Sequence, residues 1–209
     1  MDYIKHRCSD FKECASTLQK KGKVWELAFP FQQTVELNKT DIYNQTVIGV
    51  DLGINNSCTC CVMRSDGTVA GRYFYKLPEE YDCLKRKINR IKFAQHHGPR
   101  RISNLWTYAN GVNDDIAVKT AGFIMSVGIS HNADVVVFEH LDFYGKKYGS
   151  KKQRLHLWKA KRVQELITQK AHKLGVRISH ICAWGTSRLA FDGCGYVKRG
   201  NDSEKKRFI

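Results

Sequence analysis

No stretch of eighteen consecutive apolar residues occurs in these 209 residues, so the sequence predicts no membrane-spanning helix. The first six residues, Met1-Asp2-Tyr3-Ile4-Lys5-His6, lack the apolar centre of a secretory signal. The expected address is therefore cytoplasmic, in a reducing intracellular compartment. No internal repeat and no low-complexity block is visible, and 42% hydrophobic residues exclude a disordered or collagen-like chain. Cysteine is plentiful, eight in all, but positions 8, 14, 58, 60, 61, 83, 182 and 194 lack the spacing of a disulfide framework. Cys58 and Cys61 spell C-x-x-C inside Ser57-Cys58-Thr59-Cys60-Cys61-Val62. That stretch reads as a strand, whereas the redox motif opens a helix, so these cysteines are expected to pack as small core hydrophobes.

Acidic residues are the scarcer charge: 20 Asp and Glu against 35 Lys and Arg, a formal charge of +15. The excess is unevenly placed. Residues 1–46 and 47–142 each carry +1, and residues 143–209 carry +13. A second concentration lies in the balanced middle, where Lys85, Arg86, Lys87, Arg90, Lys92, Arg100 and Arg101 follow with no acid between Lys85 and Arg101. Two basic surfaces are predicted, and nucleic acid is the anionic partner such surfaces suit.

Trp25, Leu27 and Phe29 alternate as in a strand, interrupted by Pro30, and the polar residues 38–46 read as a linker. Thr46-Val47-Ile48-Gly49-Val50-Asp51 is a short apolar strand ending in an acid. Cys58–Met63 returns, Ser65-Asp66-Gly67-Thr68 turns, and Val69–Tyr75 completes a three-strand meander. Pro78-Glu79-Glu80 opens a helix whose apolar stripe is Leu77, Tyr81, Leu84, Ile88 and Ile91, with the basic run on the other face and His96-His97-Gly98-Pro99 at its end. The adjacent histidines lack the accompanying ligands of a metal site. Residues 101–131 are helical but interrupted by Gly111, Gly122 and Gly128, predicting one kinked helix or two.

Asn132–Asp142 contains the strongest strand, Val135-Val136-Val137-Phe138-Glu139, continuous in the manner of a strand covered on both faces. A Lys- and Gly-rich loop, Tyr144–Lys152, precedes a helix with Val163, Leu166, Ile167, Ala171 and Leu174 inward and Lys159, Lys161, Arg162, Lys170 and Lys173 outward. Gly175 stops it, and Val176–Ile181 is a fifth strand.

Two of these buried strands end in carboxylates, a costly arrangement unless the acids are paired, solvated or bound to a cation. If the strands carrying Asp51 and Glu139 lie parallel and adjacent, both acids leave the sheet at one edge. Such an edge suits Mg²⁺, a hard ion that takes oxygen ligands and retains waters. Two such ions about 3.5–4 Å apart can clamp the attacking and leaving oxygens of a phosphodiester displacement.

The motif Val47-Ile48-Gly49-Val50-Asp51-Leu52-Gly53-Ile54-Asn55-Asn56 resembles the first RuvC motif of the transposon-encoded TnpB proteins and of type V CRISPR effectors. Val135-Val136-Val137-Phe138-Glu139-His140-Leu141 resembles the second. Trp158, the helix to Leu174, the strand Gly175–Ile181 and Thr186-Ser187 fall where those proteins have their last helix, fifth strand and the Thr-Ser before a zinc ribbon. The resemblance covers residues 47–196; residues 23–37 match less closely the last strands of a preceding nucleic-acid-binding domain.

What the resemblance implies is an α/β, ribonuclease H-like (RuvC) mixed sheet of about five strands with flanking helices, plus a short N-terminal β remnant. The implied domains are residues 1–46, an incomplete nuclease domain at 47–183, and a basic tail at 184–209. Asp51 and Glu139 would be catalytic carboxylates and ligands for Mg²⁺ or Mn²⁺. Lys85, Arg86, Lys87, Arg90, Lys92, Arg100, Arg101, Lys151, Lys152, Arg154, Lys159 and Arg162 would hold the backbone of DNA, as single strand or heteroduplex, and of guide RNA, while base pairing supplies sequence specificity. No membrane partner is expected.

Two departures stand out. Thr186-Ser187 continues into Arg188-Leu189-Ala190-Phe191-Asp192-Gly193-Cys194-Gly195, so Phe191 occupies the position of the ribbon's partner cysteine. Cys182, Cys194 and His180 fall short of the four ligands a structural zinc requires. The third carboxylate of those nucleases follows the ribbon, and Asp192, Asp202 and Glu204 stand in no matching motif. The expectation is a truncated domain, inactive by itself, that binds nucleic acid. The first motif also resembles the phosphate loop of actin-like ATPases and sugar kinases, which need a second lobe and a second glycine-rich turn.

Overall fold

The computed structural model describes residues 11–53, 56–98, 102–140 and 160–182. The chain divides into two compact units, residues 1–36 and 37–209.

In the first unit, β2 (Thr17–Lys21) and β3 (Val24–Ala28) form an antiparallel hairpin turned at Gly22, whose φ of 62° favours glycine. Leu18 lies opposite Leu27 and Lys20 opposite Trp25, with the Lys20 ammonium 5.5 Å from the Trp25 ring centroid. The predicted break at Pro30 is present: β3 stops at Ala28, and Phe31–Gln32 (β4) pairs with Lys12–Glu13 (β1).

The second unit is built on one five-stranded sheet. The meander β5 (Thr46–Asp51), β6 (Cys58–Arg64) and β7 (Val69–Tyr75) is antiparallel. After two helices, β8 (Val135–His140) returns parallel to β5, and β9 (Arg177–Cys182) is parallel to β8. The strand order is β7-β6-β5-β8-β9, which places the two strands bearing Asp51 and Glu139 side by side within the sheet.

Alternation decides what each strand buries. Ile48, Val50, Cys58, Cys60, Val62, Val136 and Phe138 point to one face, where they meet Ala121, Ile124 and Met125 of α2 (Ser103–Ser130) and Val163, Ile167 and Ala171 of α3 (Ala160–Lys173). Burying each large apolar side chain here contributes about 1.5–3 kcal/mol. The C-x-x-C cysteines are strand residues, as the sequence predicts; Cys58 is buried in the core beside Cys60, whereas Cys61, out of phase with them along β6, turns to the other face and is half-buried, contrary to the expectation of a core residue.

Helix α1 (Pro78–His97) uses the predicted stripe, with Leu84, Ile88 and Ile91 buried against Ala109 and Ile116 of α2. Helix α2 runs unbroken from Ser103 to Ser130, so of the two expected forms, one helix or two, it is one. Its N-terminal half packs on α1 and its C-terminal half on the sheet and α3, so two cores hold it. Against that packing, the cost of a helical glycine relative to alanine, about 1 kcal/mol, is too small to interrupt it. The α3 stripe matches its prediction except at Leu174, which lies just past the helix and is exposed because Gly175, at φ 75°, turns the chain.

Residues 38–46 pair with no strand before Thr46, yet they are fastened to the sheet. The Asn38 N–H donates to the Gly175 carbonyl at 2.7 Å, and the Asp134 carboxylate accepts from Thr40 Oγ1 and from the Thr46 N–H. Among the described residues no helix is long and apolar enough to cross a membrane.

Candidate active site and nucleic-acid interface

Val47, Ile48, Gly49 and Val50 stand in register with Val135, Val136, Val137 and Phe138. The next step along both strands is Asp51 beside Glu139. Residues in register on parallel strands share a face, and neighbouring strands lie about 4.8 Å apart. Val50 and Phe138 turn into the core, so Asp51 and Glu139 turn to the opposite face, at the C-terminal edge of the two strands. Asp51 is exposed and Glu139 half-buried. Solvent access lowers the cost of holding two like charges side by side.

The donors at this edge are carboxylate oxygens, the chemistry a hard divalent cation takes. Asp51 and Glu139 fit part of the shell of such an ion. Among the described residues no group of three or more His, Cys, Asp or Glu gathers in ligand geometry. His180 and Cys182 lie on β9, where His180 is paired with Phe138 and Cys182 with His140, on the face opposite Glu139. Cys194 lies outside the described residues.

One polar contact at this edge has no counterpart in the sequence pattern. Gln164 of α3 donates its amide N–H to the Glu139 backbone carbonyl at 3.3 Å, tying the end of β8 to the helix. Its signal was a polar residue on the flank of the inward stripe, next to Val163 and one turn before Ile167. Ser57, at the return from the β5–β6 turn, is buried, and its hydroxyl has no hydrogen-bond partner among the described residues.

Of the predicted nucleic-acid contacts, Lys85, Arg86, Arg90 and Lys92 are exposed on α1, and Lys87 is half-buried with its ammonium 5.4 Å from the Tyr108 ring centroid. Arg162 is exposed on α3 and lies 3.6 Å from Glu165. Helix α2 packs against both α1 and α3, so Arg162 does not share a helix face with the α1 cations. Arg100, Arg101, Lys151, Lys152, Arg154 and Lys159 lie outside the described residues, as do Thr186-Ser187 and most of the +13 segment.

A curated TnpB-like protein of Aquifex aeolicus (strain VF5) is 25% identical over 203 residues, a match that takes in 87% of this chain. The chain spans 65% of that relative's length. Among solved structures, the Cas12f1–sgRNA–target DNA complex contains a chain matched at a TM-score of 0.55 and 18% identity, over 86% of this chain and 44% of that one. A CRISPR-Cas12f ternary complex matches at a TM-score of 0.57 and 18% identity, over 93% of this chain and 40% of the other. No protein-family model matches. The resemblance to TnpB proteins is thus found in sequence, and the likeness to Cas12f chains is one of fold, the ribonuclease H-like mixed sheet with flanking helices.

Proposed function

We propose that this chain is a RuvC-type nuclease domain of a TnpB-like or type V effector-like protein, and that Asp51 and Glu139 are its first two catalytic carboxylates. The observation that carries the reading is the register of their strands, with Val50 beside Phe138; one further step would set Asp51 beside Glu139 on one face at one edge. The likeness to a chain of the Cas12f1–sgRNA–target DNA complex supports nucleic acid as partner.

In this reading Asp51 and Glu139 hold Mg²⁺ or Mn²⁺, which would supply Lewis-acid activation of water and stabilisation of charge on phosphate oxygens. The protein's own part is positional. The sheet core beneath Val50 and Phe138 fixes both carboxylates, Gln164 anchors the backbone at Glu139, and the α1 cations hold phosphates. The partners proposed are DNA, as single strand or heteroduplex, and a guide RNA.

The described edge carries two carboxylates and no third ligand gathered with them. Asp192, Asp202 and Glu204 stand in no motif that resembles the third carboxylate's, and on that sequence ground we take the chain alone to bind nucleic acid without cutting it. The test incubates the chain with single-stranded DNA and Mg²⁺ beside an Asp51→Ala control. The expected result is binding without cleavage. Cleavage that disappears in Asp51→Ala would confirm the catalytic site and overturn the inactive state. On single strands log K should fall with log salt at about −0.7 per neutralised phosphate, and a flat response would contradict the nucleic-acid reading altogether.

A further inference from the structure

The outward side of α1 carries more than charge. Leu84, Ile88 and Ile91 supply the helix's buried stripe, so its fold needs nothing from the opposite side. On that side Arg86, Arg90, Phe93 and His97 follow at spacings of four, three and four, one stripe about 16 Å long at 1.5 Å per residue. Phe93 is 67% exposed. Its ring stacks on that of His97, with centroids 4.7 Å apart and planes 22° from parallel. The His97 Nδ1 lies 3.3 Å from the Phe93 carbonyl oxygen, so an N–H there donates to the backbone and holds the imidazole over the phenyl ring.

A single exposed phenylalanine requires no explanation. This one is half of a two-ring stack with an exposed outer face. It continues a line of guanidinium groups, in a segment with no acid from residue 85 to residue 101. Cations tracking a backbone, interleaved with an aromatic face that every base can stack on, are the two components of a surface for unpaired nucleic acid. A duplex keeps its base faces inside and gives the ring nothing to stack on.

We infer that the Arg86–Arg90–Phe93–His97 stripe of α1 binds single-stranded nucleic acid, the arginines on phosphates and the Phe93–His97 pair stacked on an unpaired base. The inference rests on the proposed nucleic-acid function and assigns it a place and a stacking contact. Phosphate and base are common to DNA and RNA, and the two are separate arms of the experiment.

The experiment measures fluorescence-anisotropy binding of the full chain to a labelled dT₁₂, to U₁₂ and to a dT₁₂ with central abasic sites, across a salt series. Phe93→Ala should weaken binding about five- to a hundredfold, the size of one base–aromatic stack, without changing the salt slope. Phe93→Trp should restore it. On the abasic strand Phe93→Ala should have no further effect, since the base it would stack on is gone. Arg86→Ala with Arg90→Ala should instead reduce the salt slope, by about 0.7 for each phosphate that is no longer neutralised. Preference for dT₁₂ or U₁₂ identifies the strand.

Full affinity in Phe93→Ala, with the arginine variants still weakened, would overturn the stacking assignment and leave the nucleic-acid reading intact. Absence of salt-dependent binding in the unmodified chain would overturn both. A dimer in sedimentation velocity that Phe93→Ala dissolves would make the stripe an interface between copies and overturn the inference. Thermal melting of each variant should match the parent, because Phe93 contributes nothing to the core.

Discussion

The Tyr73 hydroxyl lies 2.6 Å from His131 Nε2, joining β7 of the meander to the residue that ends α2. The two rings meet edge to face, with centroids 5.5 Å apart. Gly71 sits beneath this contact: a Cβ there would lie 2.7 Å from Tyr73 Cε2. Gly71→Ala should therefore push the tyrosine off its histidine. The expected loss is about 1–2 kcal/mol in urea unfolding, with Tyr73→Phe alone costing about 1 kcal/mol. Because both changes disturb the same Tyr73–His131 pair, the double variant should lose less than their sum.

Asp134 fastens the segment that enters β5, accepting from the Thr46 N–H at 2.9 Å and from the Thr40 hydroxyl. Asp134→Ala leaves both donors without that acceptor and should cost about 1–3 kcal/mol. Hydrogen exchange at the Thr46 amide should accelerate in step. Asp134→Asn keeps one acceptor oxygen and should lose less.

Lys119 joins the two helices of the second core: its ammonium lies 2.6 Å from Glu80 of α1 and 2.8 Å from Asp115 of its own helix. The hydrogen bond from Lys119 holds the Glu80 carboxyl below its ordinary range. A depressed carboxylate contributes stability above its unfolded pKa, about 4.3, and loses it as pH falls through the lower folded value. Thermal melting between pH 6 and pH 3 should show a shallower decline in Glu80→Gln than in the parent. The difference should shrink in 1 M salt, because the pair is solvent-exposed.

The cysteines should react in an order set by burial. A hydrogen bond with Cys60 and then desolvation push the Cys58 thiol far above its ordinary range, while Cys182 is exposed on β9. The thiolate is the reactive form. Iodoacetamide should label Cys182 in the folded chain, and Cys58 and Cys60 only after denaturation, as peptide mass mapping would show. Early labelling of Cys58 would contradict its buried position.

The sequence displays its strands and helices because their periods are clean: alternation at 46–51 and 58–64, a four-three stripe at 84–91, and a continuous apolar run at 135–138. The adjacency of Asp51 and Glu139 was legible only as a condition, since parallel pairing of strands so far apart in the chain is a tertiary event that no local pattern encodes. Continuity of α2 was legible only as one of two alternatives. Local propensity reads Gly111, Gly122 and Gly128 as interruptions, while the helix is held by two cores that the sequence does not show as separate. Gln164 was hidden for a related reason, because its partner is a backbone carbonyl on another element. The Phe93–His97 stack was not read from the sequence, because four-residue spacing fits a core pair as well and only exposure on the side opposite Leu84 and Ile88 distinguishes it.

Calorimetric titration of Mn²⁺ into the full chain and its Asp51→Asn and Glu139→Gln variants measures whether the two carboxylates hold a cation together. The expected result is a saturable site in the parent, weakened at least about tenfold by either substitution, since each removes one charged oxygen ligand from a shared shell. Unchanged Mn²⁺ affinity in both variants would contradict the assignment of Asp51 and Glu139 as a metal-holding pair.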